Sequence, residues 1–395
     1  MTANITFFPV DNGDMTLIQL ADTDKTSIMI DVNIRKDADD LGKNTFDVAK
    51  DLRSRLKADK KGRPYVDVFL LSHPDKDHCT GLDKHFYLGD LEKYPDDNKK
   101  QNEKRIVIRE IWSSPIVFRR ASKNHTLCED AKAFNKEAKR RVKVNRESNF
   151  NVEDGNRILV LGEDEKGKNN KSKTDDLGKI LIKVDERFSK IKGKSTSYLE
   201  ALLIAPRPVN DDDDDREDLL SKNNSSIILN LRISASLTKP DGCHFLTGGD
   251  AEVAIWEKVW NKYKGNSTDL EYDLLQAPHH CSWHSLSHDS WSDSDNPKVS
   301  PDAHSALSQA KDEASIVSSS KAFVDGETPP CIGAKKEYEK IVDNVGGIFY
   351  CTGEHPKKVS VKPLEFEVGK NGGIRKSSVA AGIAIITSSK APRAG

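Results

Sequence analysis

Residues 73–78 carry four side chains able to ligate a metal ion, His73, Asp75, Asp77 and His78, immediately after the apolar run at 66–71. Imidazole nitrogens and carboxylate oxygens without thiolates form a donor set that suits Zn²⁺ or Mn²⁺. Mixed ligation of this kind is typical of catalytic rather than structural sites. Three further segments share the same sequence context. Asp31 closes an apolar stretch at 27–31, Asp250 follows the apolar stretch 243–247 and a Gly-Gly pair, and His279-His280 follow the apolar stretch 272–277 and Pro278. Loops leaving a sheet are where rigid scaffolds place chemistry. The recurrence of Asp and His at four such exits therefore argues for one assembled site more strongly than any single motif.

The elements that must hold these residues are legible from apolar patterning. Strands are expected at 5–10 and 16–20, joined by Asp11-Asn12-Gly13-Asp14, where Asn12 and Asp14 are read as turn residues. A strand at 27–31 and a helix at 44–57, with Thr45 as N-cap, precede the strand at 66–71. A polar loop at 89–104, a strand at 105–112, a helix at 128–144 and a strand at 158–161 follow. The segment 163–176 and the aspartate run 211–215 have loop composition, and a run of aspartates has no ligand geometry of its own. Further strands are expected at 199–204, 226–231, 243–247, 272–277, 314–318 and 347–351, with helices at 252–263 and 334–345. The tail at 380–387 is a candidate for closing the sheet, and 283–300 reads as a mobile serine-rich loop beside the site, containing His284 and His288.

The whole chain sets the limits. Its 395 residues allow a large core, and the balance of 62 Lys+Arg against 63 Asp+Glu provides no global electrostatic argument for nucleic acid. No window approaches the roughly 20 apolar residues of a membrane span. The N-terminus lacks a basic segment ahead of its first strand, and the six scattered cysteines suit reduced thiols, so a cytoplasmic protein is expected. A local basic feature remains at 132–143, with Lys132, Lys136 and Arg140 as possible substrate contacts and Arg119, Arg120 and Lys123 extending the patch. Most such helices are solvated faces; the alternative is a phosphate-contacting lid with salt-dependent affinity.

On these motifs the chain resembles the metallo-β-lactamase superfamily, and more narrowly the soluble hydrolase domain of ComEC-type DNA-uptake proteins and its stand-alone relatives. His73-x-Asp75-x-Asp77-His78 stands where the superfamily has HxHxDH. Phe245-Leu246-Thr247-Gly248-Gly249-Asp250 is similar to its LxTGD with one extra glycine, and Pro278-His279-His280-Cys281-Ser282 is similar to PHHGS with Cys281 at the glycine. Asn223-Asn224-Ser225-Ser226 resembles the family's approach to the Asp250 strand. The resemblance implies an α/β fold, a four-layer αβ/βα sandwich forming one domain over residues 1–395, with a charged insertion at about 89–195.

It also implies two divalent ions, zinc or manganese. His73 and Asp75 would ligate the first, and Asp77, His78 and one of His279 or His280 the second. Asp250 would bridge both, and Asp31 would orient a ligating histidine. His279 is the favoured ligand of its pair. Asp77, His280 and Ser282 are the candidate catalytic groups, although Ser282 equally suits a turn. The family's usual third histidine is not evident, since neither His85 nor His125 sits in a motif. Cys79 follows His78 and is a candidate for approaching the metal. Two ions about 3.5–4 Å apart lower the pKa of water and stabilise attacking and leaving oxygens, which suits phosphodiester hydrolysis by a metal-activated hydroxide. The resulting expectation is a metal-dependent phosphodiesterase or nuclease acting on nucleic acid or nucleotides. The alternatives are a hydrolase of small molecules (a lactone, phosphocholine ester or cyclic nucleotide) and a non-catalytic scaffold.

Overall fold

The computed structural model describes residues 2–38, 45–119, 125–164, 172–208, 218, 220–238, 241–326, 328–370 and 373–377. The aspartate run at 211–215, Arg120, Lys123 and the tail at 380–387 lie outside the described residues.

Two mixed sheets stack face to face. The first runs in the order Ile374–Lys376, Leu364–Val368, Ala3–Phe7, Thr16–Gln19, Ser27–Ile30, Pro64–Leu70, Ile106–Ser113, Arg157–Leu161 and Leu181–Ile182. It is antiparallel up to Ser27–Ile30 and parallel beyond it. The second sheet repeats this design: Arg187–Phe188, Leu199–Ala205, Ile228–Ile233 and Cys243–Thr247 are antiparallel, then Tyr272–Gln276, Ala310–Ser318 and Ile348–Cys351 continue in parallel. Pro64–Leu70 and Cys243–Thr247 are almost wholly buried, as expected of strands covered on both faces.

Between the sheets, the Phe7 ring meets Phe245 edge-on at 5.7 Å and Phe366 at 6.0 Å, and one apolar cluster spans both inner faces. Helices cover the outer faces. Glu129–Glu147 packs Phe134 against Phe69 of the first sheet, with ring centroids 6.1 Å apart. Val253–Tyr263, Pro301–Leu307 and Ile332–Asp343 bury Trp256, Ala303 and Tyr338 in a second cluster with Leu246, Leu275 and Ile316. The architecture is thus α/β, an αβ/βα sandwich.

Local differences from the sequence reading have physical causes. The first helix is shorter, Val48–Arg55, and Asp47 rather than Thr45 caps it by accepting from the Lys50 amide at 2.9 Å. Thr45 donates its hydroxyl to Asp37. Leu364–Val368, whose alternating burial is weak as a sequence signal, extends the first sheet by pairing with Ala3–Phe7. The interval 89–195 contributes Ile106–Ser113, Arg157–Leu161 and the long helix directly to the first sheet and its cover. Among the described residues no helix is long and apolar enough to cross a membrane.

Parallel strands from both sheets end at one edge of the sandwich. Asp31, His73, Asp250 and His279-His280 all lie just past those ends, where loops from different parts of the chain can converge.

Candidate metal centre

The loop after Pro64–Leu70 turns into the short helix Lys76–Cys79, which presents Asp77 and His78. Asp250 follows Cys243–Thr247 through Gly248-Gly249. The extra glycine has a steric reason: Gly249 sits at φ +48°, and a Cβ there would come within 2.8 Å of the Ser226 hydroxyl and 3.1 Å of the Ser72 hydroxyl. That close approach lets the Ser226 hydroxyl accept from the Asp250 amide at 3.0 Å. His279, His280 and Cys281 follow with three consecutive positive φ angles, 51°, 52° and 63°, and Asp31 has φ 55°. Left-handed backbone at four non-glycine residues costs on the order of 1 kcal/mol each, and such strain clusters where side chains must be aimed.

Asp77, His78, Asp250 and His280 converge, with one potential ligand atom from each lying within 4.8 Å of the others. His78 Nε2 lies 3.1 Å from Asp250 Oδ1 and 3.3 Å from His280 Nε2. His280 Nε2 is 3.3 Å from Asp77 Oδ2 and 3.4 Å from Asp250 Oδ2. His73 Nε2 and His279 Nε2 approach the same Asp250 Oδ2 at 3.5 and 3.9 Å. Behind the cluster, Asp31 Oδ2 is 2.8 Å from His78 Nδ1, and the Ser72 amide and hydroxyl both donate to Asp31. The Ser319 carbonyl lies 3.0 Å from His280 Nδ1. Each Nδ1 thus has an acceptor, so both rings turn Nε2 inward as metal-binding imidazoles do.

Electrostatics at the centre are set by burial and by opposed charges. Burial alone would push His78 and His280 down, yet the carboxylates around them (Asp250 and Asp14 for both, with Asp31 on His78 and Asp77 on His280) carry both well above the ordinary histidine value. Burial would raise Asp250, but His280, His78, His73 and His279 hold it well below the usual carboxylate range. Asp77 is likewise lowered, against burial, by His280 and His78. Asp31 is raised, chiefly by burial and only partly offset by His78. A divalent cation would supply the positive charge that protons otherwise bring to these carboxylates, while taking the imidazoles in neutral form. The donor set also leaves places for one. His73 Nε2, 3.5 Å from Asp250 Oδ2, and Asp250 Oδ1, 3.1 Å from His78 Nε2, are buried without a hydrogen bond of normal geometry.

Other sequence candidates stand elsewhere. Asp75 caps Lys76–Cys79 and accepts from Lys222 Nζ at 2.7 Å, outside the four-donor group. The group contains His280 rather than the His279 favoured from sequence, because the left-handed turn swings the second ring inward. Ser282 is buried and caps Trp283–Ser285 by accepting from the His284 amide at 3.2 Å. Cys79 faces the long helix, its sulfur 3.4 Å from that of Cys128. On that helix Lys132 pairs with Glu129 and Lys136 is exposed. Arg140, a possible substrate contact by sequence, donates instead to Glu137, Asn156 and the carbonyls of Gly89 and Gly155, because it closes the helix onto its neighbouring loops. Arg119 pairs with Asp164. His85 sits by Arg53, and His125 lines a cavity beside Asp75. The 283–300 segment is pinned by Ser287 to Lys298, by His288 and Ser300 to Glu257, and by Trp283 against Trp291.

Asp14 was missed. Read as a turn residue, it is 4% exposed, with Oδ1 3.5 Å from His280 Nδ1 and Oδ2 3.8 Å from His78 Nδ1. With Asp31 it gives His78 Nδ1 a second carboxylate neighbour behind the four-donor group. Asn12 anchors the same loop, donating to the Pro329 carbonyl and accepting from the Lys321 amide. The available signal was a carboxylate just before the Thr16–Gln19 strand, at the same edge as the other exits.

No family model and no curated protein matches this sequence. Among solved structures, the crystal structure of unliganded yeast PDE1 matches 89% of this chain and 97% of its own, at 12% identity and a TM-score of 0.39. A likeness of that degree carries no argument about chemistry, which rests on the chain's own residues.

Proposed function

We propose that this chain is a metal-dependent hydrolase of phosphodiesters, acting on nucleic acid or nucleotides. The observation that carries the reading is the convergence of half-buried Asp77 with buried His78, Asp250 and His280 at the edge where both sheets end. A divalent ion held there supplies Lewis acidity and water of lowered pKa near neutrality. The chain's own groups do the rest of the positioning. Asp31 and the Ser319 carbonyl aim His78 and His280, and Asp77 adds a carboxylate at the partly open side. Asp250 has four imidazole nitrogens between 3.1 and 3.9 Å away and would be the carboxylate that two cations share. That supports two ions, zinc or manganese, and fits the resemblance to the metallo-β-lactamase superfamily and its ComEC-type branch.

The test is elemental mass spectrometry of purified protein, paired with hydrolysis of bis(p-nitrophenyl) phosphate, DNA and RNA under added Zn²⁺ or Mn²⁺. Bound metal with diester cleavage is expected. Metal without cleavage of any diester would overturn the substrate class, and failure to bind either ion would overturn the hydrolase reading altogether.

A further inference from the structure

A cavity of about 510 Å³ opens beside the donor cluster, within the roughly 300–1,000 Å³ of small-ligand sites. None of the four donors is among its described lining residues; it borders them through Asp75, two residues before Asp77, and through Glu252, whose Oε1 is 3.8 Å from His279 Nδ1. Lys222 is the sole lysine or arginine among its described lining residues. The loop that carries Lys222 is locked to the metal centre. Ser225 donates its hydroxyl to the Lys222 carbonyl at 2.7 Å, Asn223 donates to Glu252 at 2.9 Å, and Ser226 accepts from the Asp250 amide. Among the described residues the Lys222 ammonium donates to Asp75 alone, leaving two of its three donors for a ligand.

We propose that this cavity is the substrate pocket and that Lys222 binds the phosphoryl group of a nucleotide-sized ester, with Asp75 holding the ammonium in position. The proposal rests on the phosphodiesterase reading and narrows it. The lining sets one ammonium against the carboxylates of Asp75, Asp218 and Glu252, so an anionic group has a place only at Lys222, with hydroxyl or amino donors facing the carboxylates. Its polar asparagines and serines disfavour an acyl chain. Its aromatic side chains, His125, His284 and His288, offer a base hydrogen bonds as well as a stacking face. A nucleoside phosphate meets each requirement, with its phosphate on Lys222 and its hydroxyls on the carboxylates.

The probe is thymidine 5′-monophosphate, titrated calorimetrically into metal-loaded protein. Replacing an ammonium that makes charge-assisted hydrogen bonds is expected to weaken binding at least tenfold in Lys222→Met, while Lys222→Arg retains affinity within about threefold. With p-nitrophenyl thymidine 5′-phosphate as substrate, the loss in Lys222→Met falls on KM more than on kcat. In the wild-type chain, the nucleotide should protect Lys222 from amine-directed labelling mapped by mass spectrometry, while leaving exposed Lys143, outside the cavity lining, unaffected. Unchanged affinity in Lys222→Met overturns the assignment, as does labelling of Lys222 that saturating nucleotide leaves unchanged. Lys222-dependent binding without diester hydrolysis would uphold the pocket and sink the phosphodiesterase reading, so the two fail separately.

Discussion

Asp31→Asn is the most discriminating change at the proposed centre, because it keeps volume and backbone while removing one acceptor. Asp31 is fully buried, and its carboxylate accepts from the Ser72 amide at 2.7 Å and the Ser72 hydroxyl at 2.5 Å, with His78 Nδ1 at 2.8 Å. Asparagine tolerates the positive φ of 55° well, so the turn itself is not disturbed. An amide has one oxygen, however. If that oxygen serves the Ser72 amide, an N–H faces His78 Nδ1–H; if it serves His78, an N–H faces the Ser72 amide. Either way one buried donor is left opposed, and the tautomer that turns His78 Nε2 toward Asp250 loses its support. Changes of this kind behind a ligating histidine cost about 10–100-fold in metal affinity, or roughly 1.4–2.7 kcal/mol. Competition with a metal-binding indicator dye would read the affinity, and thermal denaturation of the metal-free protein would separate any folding loss. Affinity within twofold of wild type would refute the view that Asp31 acts through His78.

Other changes test the same centre and one group far from it. His280→Ala removes a member of the four-donor group and should lower bound metal and abolish hydrolysis, whereas His279→Ala, at 3.9 Å from Asp250, should weaken binding less; equal metal content in His280→Ala and wild type by elemental mass spectrometry would refute this. Because His78 and His280 hold protons well above the ordinary histidine range, cation uptake must expel them, so affinity should rise with pH. Calorimetry in buffers of different ionisation enthalpy should report net proton release, and none would contradict the scheme. The same raised values stabilise the metal-free fold below the unfolded histidine pKa, and that contribution is lost as pH climbs through the folded value. Glu110 is buried in the Ile106–Ser113 strand, accepting from the Trp112 indole at 2.7 Å, and burial pushes its carboxyl up to about 7. The folded state then binds more protons than the unfolded one between about pH 4.5 and 7, so stability falls as pH rises across that window. Glu110→Gln should flatten the fall and add up to about 3 kcal/mol at pH 8, measured by urea denaturation; an unchanged pH profile would refute it.

Sequence alone located the strand ends that carry Asp31, His73–His78, Asp250 and His279-His280, because apolar runs and their polar exits are local signals. It also placed the long helix, whose apolar spacing survives a heavily charged surface. What it could not decide was which side chains face inward together. Asp14 sits in what reads as an ordinary turn, and becomes part of the centre only because Gly13 and Asp14 pack against Ser319 and Asp77. Asp75 shares a motif with Asp77, but a lysine 147 positions away takes its carboxylate. His280 enters the four-donor group through three consecutive left-handed residues, a conformation that no propensity predicts. Arg140 looks like free basic surface until the carbonyls of Gly89 and Gly155 come within reach. In each case spacing along the chain set the type of residue at the edge of the sheet, and tertiary packing set its partner. Hydrogen-bond and charge partners far apart in sequence leave no periodic trace, so only the folded sandwich assigns them.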